Sequence, residues 1–205
     1  MPQIEVVKAG KNHLQYAESV SAMIDEASKD KDSGLAKRTT EYIHLKIHEG
    51  KAVIAFVDKA VAGFCYVETW GHGKYVANSG LIVSPKFRGM GLAKKIKEVA
   101  FDLSRELYPD AKLFGLTTSL AVMKINSDLG YKAVTFSELT DDNAFWKGCE
   151  TCSHYDILQR MGRQNCLCTA MIYDPKNAHE DNKRSQKDLN IFQRWFQFKR
   201  YKLDK

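Results

Sequence analysis

The amino-acid sequence predicts a protein of the α/β class, of the α+β type, built around one mixed sheet. Short apolar runs bounded by turn residues recur along the chain and indicate about six or seven strands. Four other stretches carry apolar residues at helical spacing. Strands and helices alternate in the middle of the chain, an order that is typical of α/β and α+β domains.

The N-terminal part predicts a strand, two helices and a hairpin. Residues 3–7 form the first strand, and Asn12 caps a helix whose apolar residues are Leu14, Ala17, Val20, Ile24 and Ala27. The second helix runs from Thr39 to Glu49 and ends at Gly50. The apolar runs 52–57 and 61–69 are separated by a short polar turn, so they predict an antiparallel hairpin.

The second part of the chain predicts longer elements. A strand at 75–83 is followed by an amphipathic helix from Leu92, whose polar face we expect to carry Lys94, Lys95, Lys97, Glu98 and Asp102. A strand at 112–118 precedes a short helix that Ser119 caps and Gly130 ends. Further strands are predicted at 131–136 and 166–174, while residues 137–165 show no clear period.

Composition excludes several classes of protein. Of the 205 residues, 44% are hydrophobic and 27% charged, which is ordinary for a globular protein and argues against disorder. The longest apolar run has six residues, Ala52–Val57, whereas a membrane span needs about 20. The N-terminus has no apolar signal-peptide core, so we expect a cytoplasmic protein.

The net charge of +6 is concentrated at the C-terminus. Residues 176–205 contain nine Lys or Arg and four acidic residues, and the rest of the chain is almost neutral. This distribution argues against a nucleic-acid footprint on the globular part. We therefore predict a domain at 1–175 and a basic, aromatic, helical extension at 176–205, carrying Leu189, Phe192, Trp195, Phe196 and Lys199. The extension is expected to dock on the domain or on a second subunit of a homodimer; an acidic membrane or nucleic acid is the alternative partner.

The loop before the long helix carries the clearest chemical motif. Gly89 and Gly91 lack a Cβ atom, so a ligand can approach the backbone closely. The helix that begins at Leu92 leaves unpaired N–H groups and a partial positive charge at its start. Arg88 adds a permanent charge, and together these features predict a pyrophosphate cradle. The alternative is a glycine-rich turn that binds nothing.

The segment Arg88-Gly89-Met90-Gly91-Leu92-Ala93 resembles motif A of the GNAT acetyltransferases, Gln/Arg-x-x-Gly-x-Gly/Ala, at all three specified positions. Downstream, residues 126–131 (NSDLGY) are similar to the family's helix-end signature. The resemblance covers about residues 3–136 and implies the family's fold, a mixed central sheet with helices on both faces. A looser resemblance is to short stand-alone synthases that acylate glutamate.

The resemblance implies acetyl-CoA, or another acyl-CoA, as the donor and a primary amine as the acceptor. The pantetheine would bind the backbone of Leu81, Ile82 and Val83, and the amides from Arg88 to Ala93 would hold the pyrophosphate. Ser119 and Asn126 occupy positions that contact the donor in the family. A small amino-acid-like or anionic acceptor such as glutamate is favoured, because the sequence has no acidic cluster apart from Asp141-Asp142; protein lysines, protein N-termini, polyamines and antibiotics stay open as acceptors. A CoA-binding sensor or interaction module with weak catalysis is the alternative function.

Two departures from the family pattern leave the proton-transfer groups open. Asn126 stands where many members have the Tyr that protonates the leaving thiolate, and an amide cannot act as that acid. The strand at 75–83 contains no carboxylate, so Glu68 and His72 are the candidate catalytic bases. Their simpler interpretations are a solvated carboxylate and a loop histidine.

Cysteine usage gives a second, weaker motif. The odd count of five and the lack of an export signal argue against a disulfide framework. Cys149, Cys152, Cys166 and Cys168 have a spacing that could make a zinc site, with the last two on one face of a strand. Since cysteine is also a common buried hydrophobe, we expect plain thiols and no metal.

Overall fold

Seven strands form one mixed sheet in the computed structural model, which describes residues 2–29 and 35–177. The strands are β1 (Ile4–Ala9), β2 (Ala52–Val57), β3 (Ala60–Trp70), β4 (Tyr75–Val83), β5 (Lys112–Thr117), β6 (Lys132–Val134) and β7 (Thr169–Tyr173). Their order is β1-β2-β3-β4-β5-β7-β6; β4 and β5 are parallel and the other neighbours are antiparallel. The predicted fold class and strand number are confirmed.

Six helices accompany the sheet in the described residues. They are α1 (Ala17–Ser28), α2 (Thr40–His48), α3 (Leu92–Leu107), α4 (Leu120–Asp128), α5 (Asn143–Lys147) and α6 (Tyr155–Arg160). Helices α5 and α6 lie in the stretch whose sequence showed no period, because helices of five and six residues are too short for helical spacing to be recognised.

The sheet is buried on both faces, as β2 shows. Val53, Ala55 and Val57 pack in the cluster that contains the apolar face of α3. The alternate residues Ile54 and Phe56 pack with α1 and α2 on the opposite face. Because successive side chains of a strand point to opposite faces, this alternation places helices on both sides of the sheet. The predicted arrangement is therefore confirmed.

The buried face of α3 is wider than its apolar residues indicate. Ile96 and Ala100 are fully buried, but so is Lys97, at 2% exposure, together with Ser104. The sequence placed Lys97 on the polar face, and that expectation is wrong. The helix contacts four strands, β1 to β4. The part of its surface that is buried is therefore wider than its stripe of hydrophobic residues.

Two predicted boundaries also differ from the structure. The first helix does not start after Asn12, because Lys11–Tyr16 form a 3-10 helix in which the backbone N–H of Gly10 donates to His13 Nδ1 at 3.2 Å. The last strand starts at Thr169 rather than at Cys166. The neighbouring strand β5 ends at Thr117, which pairs with Thr169. Residues 166–168 therefore have no residue of β5 opposite them.

The chain divides into two units, Met1–Tyr173 and Asp174–Lys205. Only residues 174–177 of the second unit are described. The helix expected around Leu189, Phe192, Trp195, Phe196 and Lys199 thus lies outside the described residues. Across the described part of the chain, every helix is too short or too polar to cross a bilayer.

Gly63 is held between β4 and α3 and provides a test of this packing. A Cβ atom at this position would lie 2.5 Å from Ile96 Cδ1 and 2.8 Å from the carbonyl oxygen of Ile82. We expect Gly63→Ala to lower the free energy of unfolding by about 1–3 kcal/mol, since neither neighbour can move freely. Chemical denaturation measures the change. The control Gly10→Ala meets no atom within 4 Å and should change stability by less than about 0.5 kcal/mol; equal effects would contradict the packing.

Candidate active site

The parallel strands β4 and β5 diverge along their length. They pair only through Tyr75–Ala77 and Lys112–Phe114, although β4 continues to Val83 and β5 to Thr117. A cavity of about 370 Å³ opens beyond this pairing, lined by residues 78–81 on one side and 115–119 on the other. The cavity edge of β4 is thus open to a ligand rather than to a neighbouring strand.

A β-bulge at Gly80 accompanies this divergence. The ladder between β3 and β4 shifts its register between Phe64 and Tyr66. Gly80 has a φ of +63°, and a Cβ atom there would overlap the ring of Tyr66. Only glycine satisfies both conditions, and a bulge bends its strand. The bend turns β4 away from β5 at the level of the cavity.

The loop between β4 and α3 has the geometry of an anion cradle. Gly89 and Gly91 have φ values of +81° and +74°, which favour glycine. Gly91 is the N-cap of α3 and has no side chain that could accept a hydrogen bond from the helix. The N-cap residue therefore leaves the first backbone N–H groups of α3 uncapped. A Cβ atom at either glycine would meet no atom within 4 Å, so the space above the loop is open. Arg88 is exposed beside it.

The predicted site residues occupy three places. The cavity is lined by Glu68, Leu81, Ser119 and Asn126. Ile82 and Val83 continue β4 from the cavity toward the loop, and the segment from Arg88 to Ala93, including Met90 and Leu92, forms that loop and the first turn of α3. His72 lies in the exposed turn between β3 and β4 and is not among the lining residues of the cavity. The structure therefore brings Glu68 to the donor-side residues and leaves His72 apart from them.

Glu68 is held by two side chains of α2. The hydroxyl of Tyr42 donates a hydrogen bond to Glu68 Oε1, and Lys46 Nζ lies 3.4 Å from the same oxygen. Burial, followed by the neighbouring Tyr66 and Glu68, raises the pKa of Tyr42, so its phenol keeps the proton that it donates. These contacts fix the orientation of the carboxylate at the cavity wall.

Arg38 faces the same end of the cavity and was not identified from the sequence. Its Nε donates to the hydroxyl of Tyr66 at 2.8 Å, and its Nη1 donates to the carbonyl oxygen of Lys37 at 2.8 Å. Burial raises the pKa of Tyr66 to about 12, so this phenol is neutral and accepts the hydrogen bond. Arg38 precedes α2 in a polar stretch without periodicity, and the sequence therefore contains no signal that would have located it.

Asn126 and Ser119 hold the opposite wall. Ser119 Oγ accepts from the backbone N–H of Val122 at 3.4 Å and caps α4, as predicted. Asn126 is buried, and its Nδ2 donates to Met171 Sδ at 3.7 Å. Its Oδ1 has no hydrogen-bond partner in the described residues. Buried polar atoms are normally satisfied, so this unpaired oxygen is an exception, and it belongs to a residue that lines the cavity.

The four clustered cysteines surround a second, smaller cavity of about 90 Å³. Cys166 and Cys168 precede β7, so the expectation that they share a strand face is wrong. Within residues 2–29 and 35–177 no group of three or more His, Cys, Asp or Glu side chains is arranged to hold a metal ion. Burial, with smaller effects of the neighbouring thiols, raises the pKa of Cys149 to about 11 and that of Cys168 to about 12.

Comparison with known families agrees with this geometry. The profile described as "Acetyltransferase (GNAT) family" matches residues 20–122, which include β4, the cradle loop and α3. No curated protein sequence matches the chain at a significant level.

Solved structures share the fold at low identity. An N-acetylglutamate synthase from Neisseria gonorrhoeae, complexed with coenzyme A and N-acetyl-glutamate, has a TM-score of 0.60 at 16% identity over 84% of this chain. The chain spans only 35% of that synthase. A phosphinothricin acetyltransferase from Sinorhizobium meliloti, in complex with AcCoA, has a TM-score of 0.56 at 12% identity, covering 84% of this chain and 88% of its own. An acetyltransferase of the GNAT family from Streptococcus pneumoniae has a TM-score of 0.56 at 10% identity, with 84% and 99% covered.

The raised pKa values of Cys149 and Cys168 predict low thiol reactivity. Because the thiolate is the nucleophile, alkylation at pH 8 should be at least about a hundredfold slower in the folded protein than in the urea-unfolded protein, whose thiols have a pKa of about 8.5, and Cys168 should be slower than Cys149. Mass spectrometry of peptides after timed treatment with iodoacetamide resolves each cysteine. Equal rates in both states would contradict the burial of these thiols.

Proposed function

The chain belongs to the GNAT acetyltransferase family, and on this premise we propose that it moves an acetyl or similar acyl group from CoA to the primary amine of a small amino acid, glutamate being the leading candidate. The open edge of β4 between the cradle loop and the charged end of the cavity is the observation that supports this proposal. A donor with a phosphate end and a thioester end matches the first two features, and an amino acid matches the third.

The donor binds along the open edge of β4. The pantetheine lies beside the backbone of Leu81, Ile82 and Val83, on the edge of β4 opposite β3, where β5 no longer pairs. The pyrophosphate accepts hydrogen bonds from the amides of the cradle loop, and the positive end of the α3 dipole and Arg88 stabilise its charge. A backbone N–H of β4 beside the thioester carbonyl stabilises the oxyanion that forms during attack.

The charges at the other end of the cavity favour an amino acid as the acceptor. In the described lining, Glu68 is the one carboxylate, while Arg38 and Lys97 are cationic groups. A polyamine would find little negative charge to bind there. An amino acid can place its carboxylate on the guanidinium of Arg38 and its amine toward Glu68. Glu68 then acts as the proton acceptor for the attacking amine. His72 is the other candidate base from the sequence, and it would require a chain of water molecules.

The synthase complexed with N-acetyl-glutamate supports glutamate as the leading acceptor only through the shared fold, since the sequence identity is 16%.

The decisive experiment measures release of the free CoA thiol from acetyl-CoA in the presence of single amino acids, polyamines and a lysine peptide. Turnover that is highest with glutamate is the expected result. Binding of CoA without turnover on any amine would indicate the alternative of a CoA-binding module, and no binding at millimolar CoA would refute the proposal.

Arg88→Ala removes one charge-assisted contact with phosphate. The loss of about 1.5–3 kcal/mol should weaken CoA binding roughly 10- to 150-fold by titration calorimetry, with little change in melting temperature. Lys86→Ala removes an equal charge two residues away, where the side chain lies over the ring of Phe87, and serves as the control. An affinity of the Arg88 variant equal to that of the parent would contradict the cradle.

Arg38→Met removes the group that we assign to the acceptor carboxylate. We expect the KM for the amino acid to rise at least about tenfold while the affinity for CoA stays unchanged. The control is Lys37→Met, which removes the adjacent exposed cation and keeps the backbone carbonyl that Arg38 contacts. If the Arg38 variant kept the parental KM, the acceptor carboxylate would have to bind elsewhere.

A further inference from the structure

Lys97 is a buried lysine without a carboxylate partner in the described part of the chain. Its exposure is 2%, and it is one of the largest side chains that are fully buried. Its Nζ lies 5.3 Å from the centre of the Tyr131 ring, a cation–π contact. Lysine is almost never fully buried unless it is paired, because removal of the ammonium from water is costly. A methionine would fill the same space without that cost, so packing alone does not account for this residue.

The cavity explains where the Lys97 side chain leads. Lys97 lines it together with residues 79–81 of β4 and Asn126 of α4, at the divergence of β4 and β5. The buried Oδ1 of Asn126 lacks a protein partner among the described residues, and Asn126 lines the same cavity. A buried lysine and a buried amide thus both belong to the wall beside the bulged segment of β4. In the proposed function that place holds the thioester.

Resting on the proposed function, we propose that Lys97 is a catalytic residue whose ammonium group protonates the sulfur of the departing CoA. The acceptor nitrogen bonds to the thioester carbon and loses a proton to Glu68 or water. The carbon–sulfur bond then breaks, and its electron pair goes to sulfur. Lys97 Nζ donates a proton to that sulfur and regains one from solvent, and any proton that Glu68 accepted passes to solvent. Free CoA thiol and the amide leave, and the enzyme returns to its starting state.

The electrostatic surroundings suit this role. Burial lowers the pKa of Lys97 to about 8, and the neighbouring Cys65 offsets this shift only in part. An ordinary thiol has a pKa of about 8.5, and proton transfer is most effective between groups of similar pKa. The titratable groups that face Lys97 are Cys65 from β3 and Tyr131 from the segment after α4, and burial raises the pKa of both, so both are neutral when Lys97 is charged. Arg38 and Glu68 face the same cavity.

This assignment also accounts for Asn126. Its amide cannot supply a proton, but its free Oδ1 can accept a hydrogen bond within the cavity. The acid therefore comes from α3 rather than from α4. The helix that begins at the cradle loop thereby contacts both ends of the donor.

The variant Lys97→Met tests the proposal because it keeps the length of the side chain and removes the charge. We expect kcat to fall about 10²-fold with the affinity for acetyl-CoA nearly unchanged. In the parent, kcat should decline as the pH rises through about 8, because only the ammonium form donates; the variant should lack this decline. Lys94→Met is the control, since Lys94 is an exposed residue of the same helix.

A second measurement, made on the parent and on the variant, separates this role from a structural one. The ammonium should lower the pKa of the thiol of bound CoA below that of free CoA. The pKa of the bound thiol is measured by following the ultraviolet absorbance of its thiolate as the pH is raised. The same titration of the complex with desulfo-CoA, which has no thiol, is subtracted to remove the absorbance of the protein's own cysteines. Lys97→Met should abolish the shift and leave desulfo-CoA binding unchanged.

The outcomes distinguish the two proposals. A parent protein that binds no CoA refutes the proposed function. A parent that binds CoA and turns over, but whose bound thiol titrates like free CoA, overturns the role of Lys97 alone. So does a folded Lys97→Met protein with parental kcat and pH profile.

Discussion

The divergence of β4 and β5 is the constraint on which the rest of the site depends. Two parallel strands that paired along their full length would leave no room between them, and the backbone of residues 78–83 would be used within the sheet. Pairing instead stops at Ala77 and Phe114, and the bulge at Gly80 bends β4 away. The resulting cavity lies between the cradle loop on one side and the charged end near Arg38 on the other. Tyr66 supports the bulge from β3 and also binds Arg38, so one side chain links the shape of the strand to the acceptor end.

Helix α3 fixes the spacing between two chemical functions. Its first turn forms part of the anion cradle at Gly91, and Lys97 lies six residues later, about 9 Å along the axis at 1.5 Å per residue. Because a helix is rigid and packs here on four strands, this spacing does not depend on any loop. The same packing removes Lys97 from water and lowers its pKa. The charge of the lysine and the positive end of the helix dipole are thus held at a fixed distance on one rigid element.

The segment after β6 supplies the wall that faces the acceptor. Phe145, Gly148, Cys149 and Cys168 line the cavity, and all four lie beyond residue 122, where the match to the family profile ends. The donor-binding elements lie within that match. This division means that family membership supports the choice of donor, whereas the choice of acceptor depends on residues that the family pattern does not describe. The thiols of this wall are half-buried and their pKa values are raised, so they are neutral and contribute shape rather than charge.

The sequence by itself determined the order of the elements, the cradle loop and the donor, because each is encoded within a few adjacent residues. Hydrophobic periods located β1 to β5 and α2 to α4, and the glycines of the loop predicted an anion site there. Only the tertiary structure decided what faces the cavity. Lys97 has the sequence context of an exposed residue, and its burial results from the number of strands under α3. Arg38, Glu68 and Asn126 meet only because α2, β3 and α4 pack around one divergence in the sheet. Contacts between residues far apart in the chain leave no local period, so the sequence could not place these groups together.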